Sequence, residues 1–317
     1  KGIMFSLNGS AKGPINNLKA KVSLSSIIGR AQASVKVDQI LNTEKPLNIS
    51  GSISTKNLDI NSIVKNKLIR HTTADAGFDV KFGRSLKVPD IKLDSLVIDR
   101  LALNGYEYSG ITADGFYNSE AFEGEVISTD PNLSFYLNAT QSKLDSLTYY
   151  NLTADLARAD LYAINIDNRG TSEVSMTTTA DFTISDENHI NGSAEIKGLY
   201  LENEDGIYNI DDITLTSVQT EKDYKMEFLA PFAEVRYSGT ASPKHFIDDF
   251  QGLTLKRELP AIFKDTAYTW SGDAYKVDLL CHNMMDVLAF AIPGLYIEAG
   301  TALHAEINES GEFRTEL

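Results

Sequence analysis

The stretch that decides the fold runs from position 171 to 242 and opens with TSEVSMTTTADFTIS. Mainly apolar residues take every second position from Val174 to Ile184, and polar residues fill the positions between them. A period of two places the two sets on opposite faces of a β-strand, as in an antiparallel sheet with one solvated face. The alternation restarts after the predicted turn DENH (186–189), so the stretch predicts consecutive strands.

The composition bounds the class of protein. The chain has 317 residues, of which 42% are hydrophobic and 23% are charged, and these fractions are typical of one or two globular domains. Cys281 is the single cysteine, so no internal disulfide and no CxxC metal site can form. Because its sequence neighbours are apolar, we predict that Cys281 is buried as a small hydrophobic side chain. The lack of disulfides is compatible with the cytosol and equally with a large periplasmic β-protein.

The charge and hydropathy patterns exclude several partners. A formal net charge of -15 argues against a nucleic-acid partner and against broad docking on an anionic bilayer. No apolar run approaches the ~20 residues of a membrane helix. The chain opens at Lys1 without a signal peptide, so we expect an internal piece of a longer protein whose anchor or export signal lies elsewhere.

Strand-like alternation also covers most of the remaining chain. Spacing closer to helical appears around Leu58–Val64, at 244–264 and in HNMMDVLAFAI (282–292). We therefore predict an all-β fold, an elongated curled antiparallel-rich sheet with a few short helices. Residues 1–317 would form one groove-like module, with possible sub-repeats at 1–168 and 169–317 and a helical interruption near 244–264.

A pair of similar segments motivates the sub-repeats. NISGSISTKNLDIN (48–61) and HINGSAEIKGLYLE (189–202) share the order strand, Gly-Ser, strand, Leu-x-Leu/Ile. The interval is longer than in common solenoids. The alternative is that these are two similar hairpins in a β-rich protein.

Motifs of catalysis and metal binding do not occur in the sequence. Its five histidines are scattered singly, and no HExxH, GxSxG, P-loop or GxGxxG is present. The adjacent acidic pairs would point to opposite faces of a strand, so they do not predict a catalytic dyad. We expect neither an enzyme nor a metal or cofactor site.

Four segments carry a family resemblance. The first is the segment 48–61 quoted above, and the second is GEVISTDPNLSFYLNATQSKLDSLTYYNLTADLARADLYAIN (124–165). The other two follow each other closely: GLYLENEDGIYNIDDITLTS (198–217) and MEFLAPFAEVRYSGTAS (226–242). They resemble an internal part of a TamB protein of the Bacteroidetes type, within the wider AsmA-like set of envelope proteins. The resemblance covers most of the chain. It rests on the order of strands and on short similar segments, because this family has no catalytic motif that could be compared.

The resemblance implies a fold and a role. Such proteins curl β-strands into a trough, a β-taco, with an apolar inside. They are anchored in the inner membrane by a segment not present here, and they cross the periplasm. Their proposed roles are phospholipid transport between membranes and assembly of outer-membrane proteins. The implied partners are phospholipid acyl chains and, through regions outside this chain, an outer-membrane barrel-assembly protein.

The alternation itself also predicts an apolar groove. One-sided strands with few helices must fold over, close, pair with a second sheet or hold a ligand. An open trough and a dry sandwich both satisfy this requirement. The candidate groove-lining, lipid-binding residues are Leu133, Phe135, Leu137, Val174, Met176, Phe182, Ile184, Ala194, Ile196, Ile213, Leu215, Met226 and Phe228.

A second hypothesis is a surface adhesin or glycan-binding β-sandwich. Sugars stack on exposed aromatic rings, although tyrosine in strands more often serves packing. The candidate stacking residues are Tyr106, Tyr108, Tyr149, Tyr150, Trp270 and Tyr275.

Overall fold

The computed structural model describes residues 5–65, 68–83, 86–185, 189–252, 271–291 and 294–317. Most of the chain is antiparallel β-sheet and little of it is helical, which confirms the all-β class. The chain divides into two compact units. Unit 1 comprises Lys1–Asp145 and Tyr150–Thr177, and unit 2 comprises Ser146–Tyr149 and Thr178–Leu317.

Unit 1 is built from antiparallel strands that pair mostly in chain order. Strand β6 pairs with both β7 and β8, and the other consecutive strands up to β10 pair with each other. The strands of this unit are β1 (Phe5–Lys12), β2 (Asn17–Ser26), β3 (Gly29–Asp38), β4 (Leu47–Asp59), β5 (Ile69–Phe82), β6 (Asp90–Leu103), β7 (Tyr106–Tyr108), β8 (Ile111–Tyr117), β9 (Ala121–Asp130) and β10 (Leu133–Leu144). Helix α1 (Asn61–Val64) follows β4.

Strands β11 (Leu147–Asp160) and β12 (Ser172–Ser185) contribute residues to both units. Strand β12 contains the alternating stretch from Val174 to Ile184, and the prediction of a strand there is confirmed. The predicted turn at 186–189 lies almost wholly outside the described residues.

Unit 2 repeats the antiparallel pairing. Strand β13 pairs with β14 and β15, and the strands from β15 to β20 pair in chain order. These strands are β13 (Ile190–Asn203), β14 (Gly206–Ile210), β15 (Ile213–Gln219), β16 (Tyr224–Ala230), β17 (Ala233–Gly239), β18 (Tyr275–Cys281), β19 (Ala302–Ile307) and β20 (Phe313–Glu316).

Two short helices belong to unit 2, at positions that the sequence indicated. Helix α2 (Pro243–Phe250) starts with proline at its first position, where the missing N–H is not needed. Helix α3 (Met285–Ala291) follows β18. The rest of the predicted helical interruption, from 253 on, lies outside the described residues. No helix among the described residues is long and apolar enough to cross a membrane.

The Gly-Ser motif of the two similar segments has one physical explanation in both units. A side chain at Gly51 would collide with the carbonyl oxygen of Ser34 on the preceding strand, and one at Gly192 would collide with that of Asp181. Only glycine lets the neighbouring backbones approach this closely. The shared motif therefore marks equivalent close strand contacts within each unit.

Candidate functional site

Strand registers align apolar residues into rows across unit 1. Directly opposed residues of an antiparallel pair project from the same face. One row crosses eight strands and comprises Val22, Ala33, Ile53, Ala76, Leu96, Ala113, Val126 and Leu137. Another row on the same face comprises Leu18, Val37, Ile49, Val80, Ile91, Tyr117 and Phe122. We call the face that carries these two rows the apolar face of unit 1.

Solvent reaches many of the large side chains on this face. Val22, Ile53 and Ile91 are 43%, 41% and 40% exposed, and Tyr117 and Phe122 are exposed to a similar degree. Monomeric soluble proteins rarely expose contiguous apolar surface on this scale unless it binds something. The apolar face of unit 1 is therefore the first candidate site.

Equivalent rows cross unit 2. One comprises Ala194, Leu215, Phe228, Val235, Leu279 and Leu303. A second comprises Gly192, Ser217, Met226, Tyr237, Val277 and Ala305, and a third comprises Tyr224, Gly239, Tyr275, Ile307 and Phe313. We call the face that carries these three rows the apolar face of unit 2.

Helix α2 covers one end of the apolar face of unit 2. The ring of Phe246 lies 5.8 Å from that of Tyr275 and 6.2 Å from that of Tyr237, and Phe250 lies 5.3 Å from Phe313. Tyr275 is 2% exposed and Ile307 is fully buried beneath this aromatic cover. This part of unit 2 is a packed aromatic and aliphatic core.

Helix α3 contributes a second covering element. Its Leu288 is 6% exposed, and the helix contacts β13. Cys281 is buried at the end of β18, as the sequence predicted.

The registers place six of the predicted groove-lining residues together in unit 2. On β13 and β15, Ala194 stands opposite Leu215 and Ile196 stands opposite Ile213. On β15 and β16, Leu215 stands opposite Phe228 and Ser217 stands opposite Met226. Ile213 is only 7% exposed, whereas the other five are partly buried. Phe182 and Ile184, on the unit 2 part of β12, are also partly buried. Lipid contact by these residues stays a prediction.

The remaining predicted residues lie in unit 1. Leu133, Phe135 and Leu137 share one face of β10, where Leu137 extends the first row and Phe135 stands opposite Ser128. Val174 and Met176 lie on β12, and all five side chains are partly buried. One continuous face through both units stays a prediction. The residue set missed most of the apolar face of unit 1, although the alternation in β2–β9 carried the same signal.

The polar strand partners form ion pairs rather than a core. Glu173 accepts from Arg158 at 2.9 Å, and Glu195 pairs with Lys197 at 3.0 Å. Asp181 is exposed. These pairs keep carboxylates on the wet face and oppose a register slip that would bury them.

The sequence patterns did not predict a buried polar cluster that unit 1 contains. Asp130 is 1% exposed and accepts hydrogen bonds from the Tyr106 hydroxyl at 2.7 Å, from the Ser109 N–H at 2.8 Å and from the Asn132 N–H at 2.9 Å. Burial would raise the pKa of this carboxyl, but the hydrogen bonds hold the pKa below its ordinary value. The cluster fixes the β7–β8 and β9–β10 connections and leaves the carboxylate without access to a ligand.

Most of the aromatic residues proposed for glycan stacking are buried, hydrogen-bonded or directed to different faces. Tyr108 and Tyr275 are 7% and 2% exposed, and the Tyr106 hydroxyl is engaged by Asp130. Tyr149 and Tyr150 are exposed, but as neighbours on one strand they project from opposite faces. Trp270 lies outside the described residues.

Two of the histidines that the structure describes, His282 and His304, pair with carboxylates. His282 Nε2 lies 3.0 Å from Glu234, and His304 Nδ1 lies 2.6 Å from Asp278. Over the described ranges, no group of three or more His, Cys, Asp or Glu side chains could hold a metal ion. No family model, curated protein or solved structure matches the chain.

Proposed function

We propose that the apolar face of unit 1 binds lipid acyl chains, and that the chain is a segment of a TamB-like, periplasm-spanning scaffold. Its role would be phospholipid transport between membranes, assembly of outer-membrane proteins, or both. The observation that carries the proposal is an apolar face on which five large side chains remain about two-fifths exposed, namely Val22, Ile53, Ile91, Tyr117 and Phe122.

The shape of the apolar surface suits a long flexible ligand. A row of eight neighbouring strands spans about 34 Å at the usual interstrand spacing. Each methylene group that leaves water for such a surface contributes about 0.8 kcal/mol. Small side chains such as Ala33, Ala76 and Ala113 alternate with large ones along the first row, which leaves shallow space for a chain lying across the strands.

The polar character of the opposite face supports a one-sided binding surface. Lys92 and Asp94 on β6 form an exposed ion pair at 2.7 Å, and Glu125 on β9 accepts from the Tyr136 hydroxyl at 3.1 Å. Acyl chains would therefore gain contact on one face only.

Lipid extraction and mass spectrometry of the purified chain would test the proposal. We expect phospholipid to co-purify with the wild type. Ile91→Glu places a carboxylate on the apolar face where solvent can reach it, so this variant should stay folded by circular dichroism and lose most of the lipid.

Thr112→Glu is the matched control, because it adds the same charge at an exposed position on the opposite face. It should retain the lipid. A wild-type protein without lipid, or equal lipid in the two variants, would contradict the proposal.

A further inference from the structure

Although the chain as a whole is acidic, its N-terminal region is basic. The first 56 residues hold eight of the 29 Lys and Arg residues but only two of the 44 Asp and Glu residues. Strands β1–β4 therefore carry an excess of positive charge within a protein of net charge -15. Net charge describes the whole molecule, whereas the charges of a docking surface act over only about 8 Å at physiological salt.

The strand register gathers this charge on the polar face. Lys12 stands directly opposite Lys19, and Lys19 stands directly opposite Lys36. Lys21 projects from the same face two residues along β2. Like charges in directly opposed positions destabilise a sheet, so this lysine row (Lys12, Lys19 and Lys36) is unfavourable unless an anion lies over it. Asp38, which pairs with Lys36 at 2.6 Å, offsets part of the charge.

A hydroxyl-rich cavity adjoins the lysine row. It has a volume of about 570 Å³, and Ser10, Lys21, Ser23, Ser34 and Ser52 are among its lining residues. Ser10 and Ser34 flank Lys21 on the two neighbouring strands. Hydroxyl groups beside an ammonium group are suitable donors for phosphate oxygens. The volume falls within the range of small-molecule sites.

Two exposed aliphatic residues lie at the same end of the sheet as the lysine row. Ile15, between β1 and β2, is 59% exposed, and Leu41, beyond the end of β3, is 63% exposed. The two loops are tied together through Asn16, whose side-chain oxygen accepts from the Leu41 N–H and whose carbonyl accepts from the Gln39 N–H, both at 3.1 Å. The two loops are thus held together at the end of the sheet that carries the lysine row.

We infer that this end of unit 1 docks on an anionic lipid bilayer. The lysine row and the cavity would contact headgroup phosphates, while Ile15 and Leu41 would enter the interface between headgroups and acyl chains. Basic residues beside exposed aliphatic ones are the combination that anionic membranes attract. A nucleic acid would bind the lysines through its phosphates but would make no favourable contact with the aliphatic loops. The residues that line the cavity also include no aromatic ring on which a base could stack. The inference goes beyond the proposed function and does not depend on it.

Vesicle co-sedimentation of the full chain would test the inference. We expect binding to phosphatidylcholine vesicles that contain phosphatidylglycerol, little binding to phosphatidylcholine alone, and loss of binding at high salt. The double variant Lys12→Glu/Lys19→Glu should weaken binding by about tenfold or more. If it misfolds by circular dichroism, Lys12→Gln/Lys19→Gln provides the same test without new carboxylates.

Two matched controls separate docking from general charge and hydropathy effects. Lys225→Glu/Lys276→Glu makes the same charge change at exposed strand lysines of unit 2 and should leave binding intact. Ile15→Ser/Leu41→Ser should weaken binding, whereas Ile27→Ser, at a loop tip 79% exposed, should not. Equal losses in test and control variants, indifference to anionic lipid, or retention of duplex DNA in place of vesicles would overturn the inference.

Discussion

Unit 1 and unit 2 carry the same alternating face, and in unit 2 the aromatic rings of helix α2 cover part of it. In unit 1, Val22, Ile53 and Ile91 remain about two-fifths exposed. In unit 2, Tyr275 and Ile307 are almost or fully buried beneath helix α2. The comparison shows that one sequence pattern serves as a partly exposed surface in one place and as a packed core in another.

The largest expected difference between the units concerns stability. Ile307→Ala removes a fully buried side chain and should lower the free energy of unfolding by about 2–5 kcal/mol. Ile53→Ala, at a half-open position in unit 1, should lower it by about 1 kcal/mol or less. Urea denaturation followed by tyrosine fluorescence and circular dichroism would measure both changes. Similar losses at the two positions would remove the distinction between an open and a covered face.

A second expectation concerns the buried polar cluster around Asp130 in unit 1. Asp130→Ala leaves the Tyr106 hydroxyl and the Ser109 and Asn132 N–H groups without their acceptor, so it should lower the free energy of unfolding by about 1–3 kcal/mol at neutral pH. Asp114→Ala, at an exposed position of β8, is the control and should change it by no more than about 0.5 kcal/mol.

The pH dependence of that loss follows from the lowered pKa of Asp130. A carboxyl whose folded pKa is depressed stabilises the protein above its unfolded pKa of about 3.9, and it loses this effect as the pH falls through the folded pKa. The difference between wild type and Asp130→Ala should therefore shrink below about pH 4. A difference that stays constant down to acid unfolding would show that the carboxylate charge has no part in it.

The smallest expected effect lies on the wet face of unit 2. The hydrogen bond from His304 to Asp278 raises the pKa of the His304 imidazole. This pair stabilises the fold below the unfolded histidine pKa of about 6.5, and the stabilisation disappears as the pH rises through the raised pKa. In an NMR titration, Asp278→Asn should lower the pKa of His304, and Glu221→Gln should leave it unchanged. An unshifted titration in Asp278→Asn would exclude this pair as the cause.

The sequence by itself determined the strands, their wet faces and the places of short helices. The alternation in β12 and the apolar positions of β13, β15 and β16 required no tertiary information, because the pleat turns side chains to alternate faces by covalent geometry alone. The helical spacing near 244 and 285 likewise predicted α2 and α3. A count of charges by segment would also have found the basic start of the chain.

Only the tertiary structure decided which parts of the apolar faces are covered and which polar groups meet. The contact of Phe246 with Tyr275 joins residues far apart in sequence, and so does the engagement of Asp130 by Tyr106. The opposition of Lys12, Lys19 and Lys36 depends on the exact pairing of three strands. Alternation fixes the face to which a side chain points, but long-range packing and register decide what lies opposite it, and neither leaves a local signature in the chain.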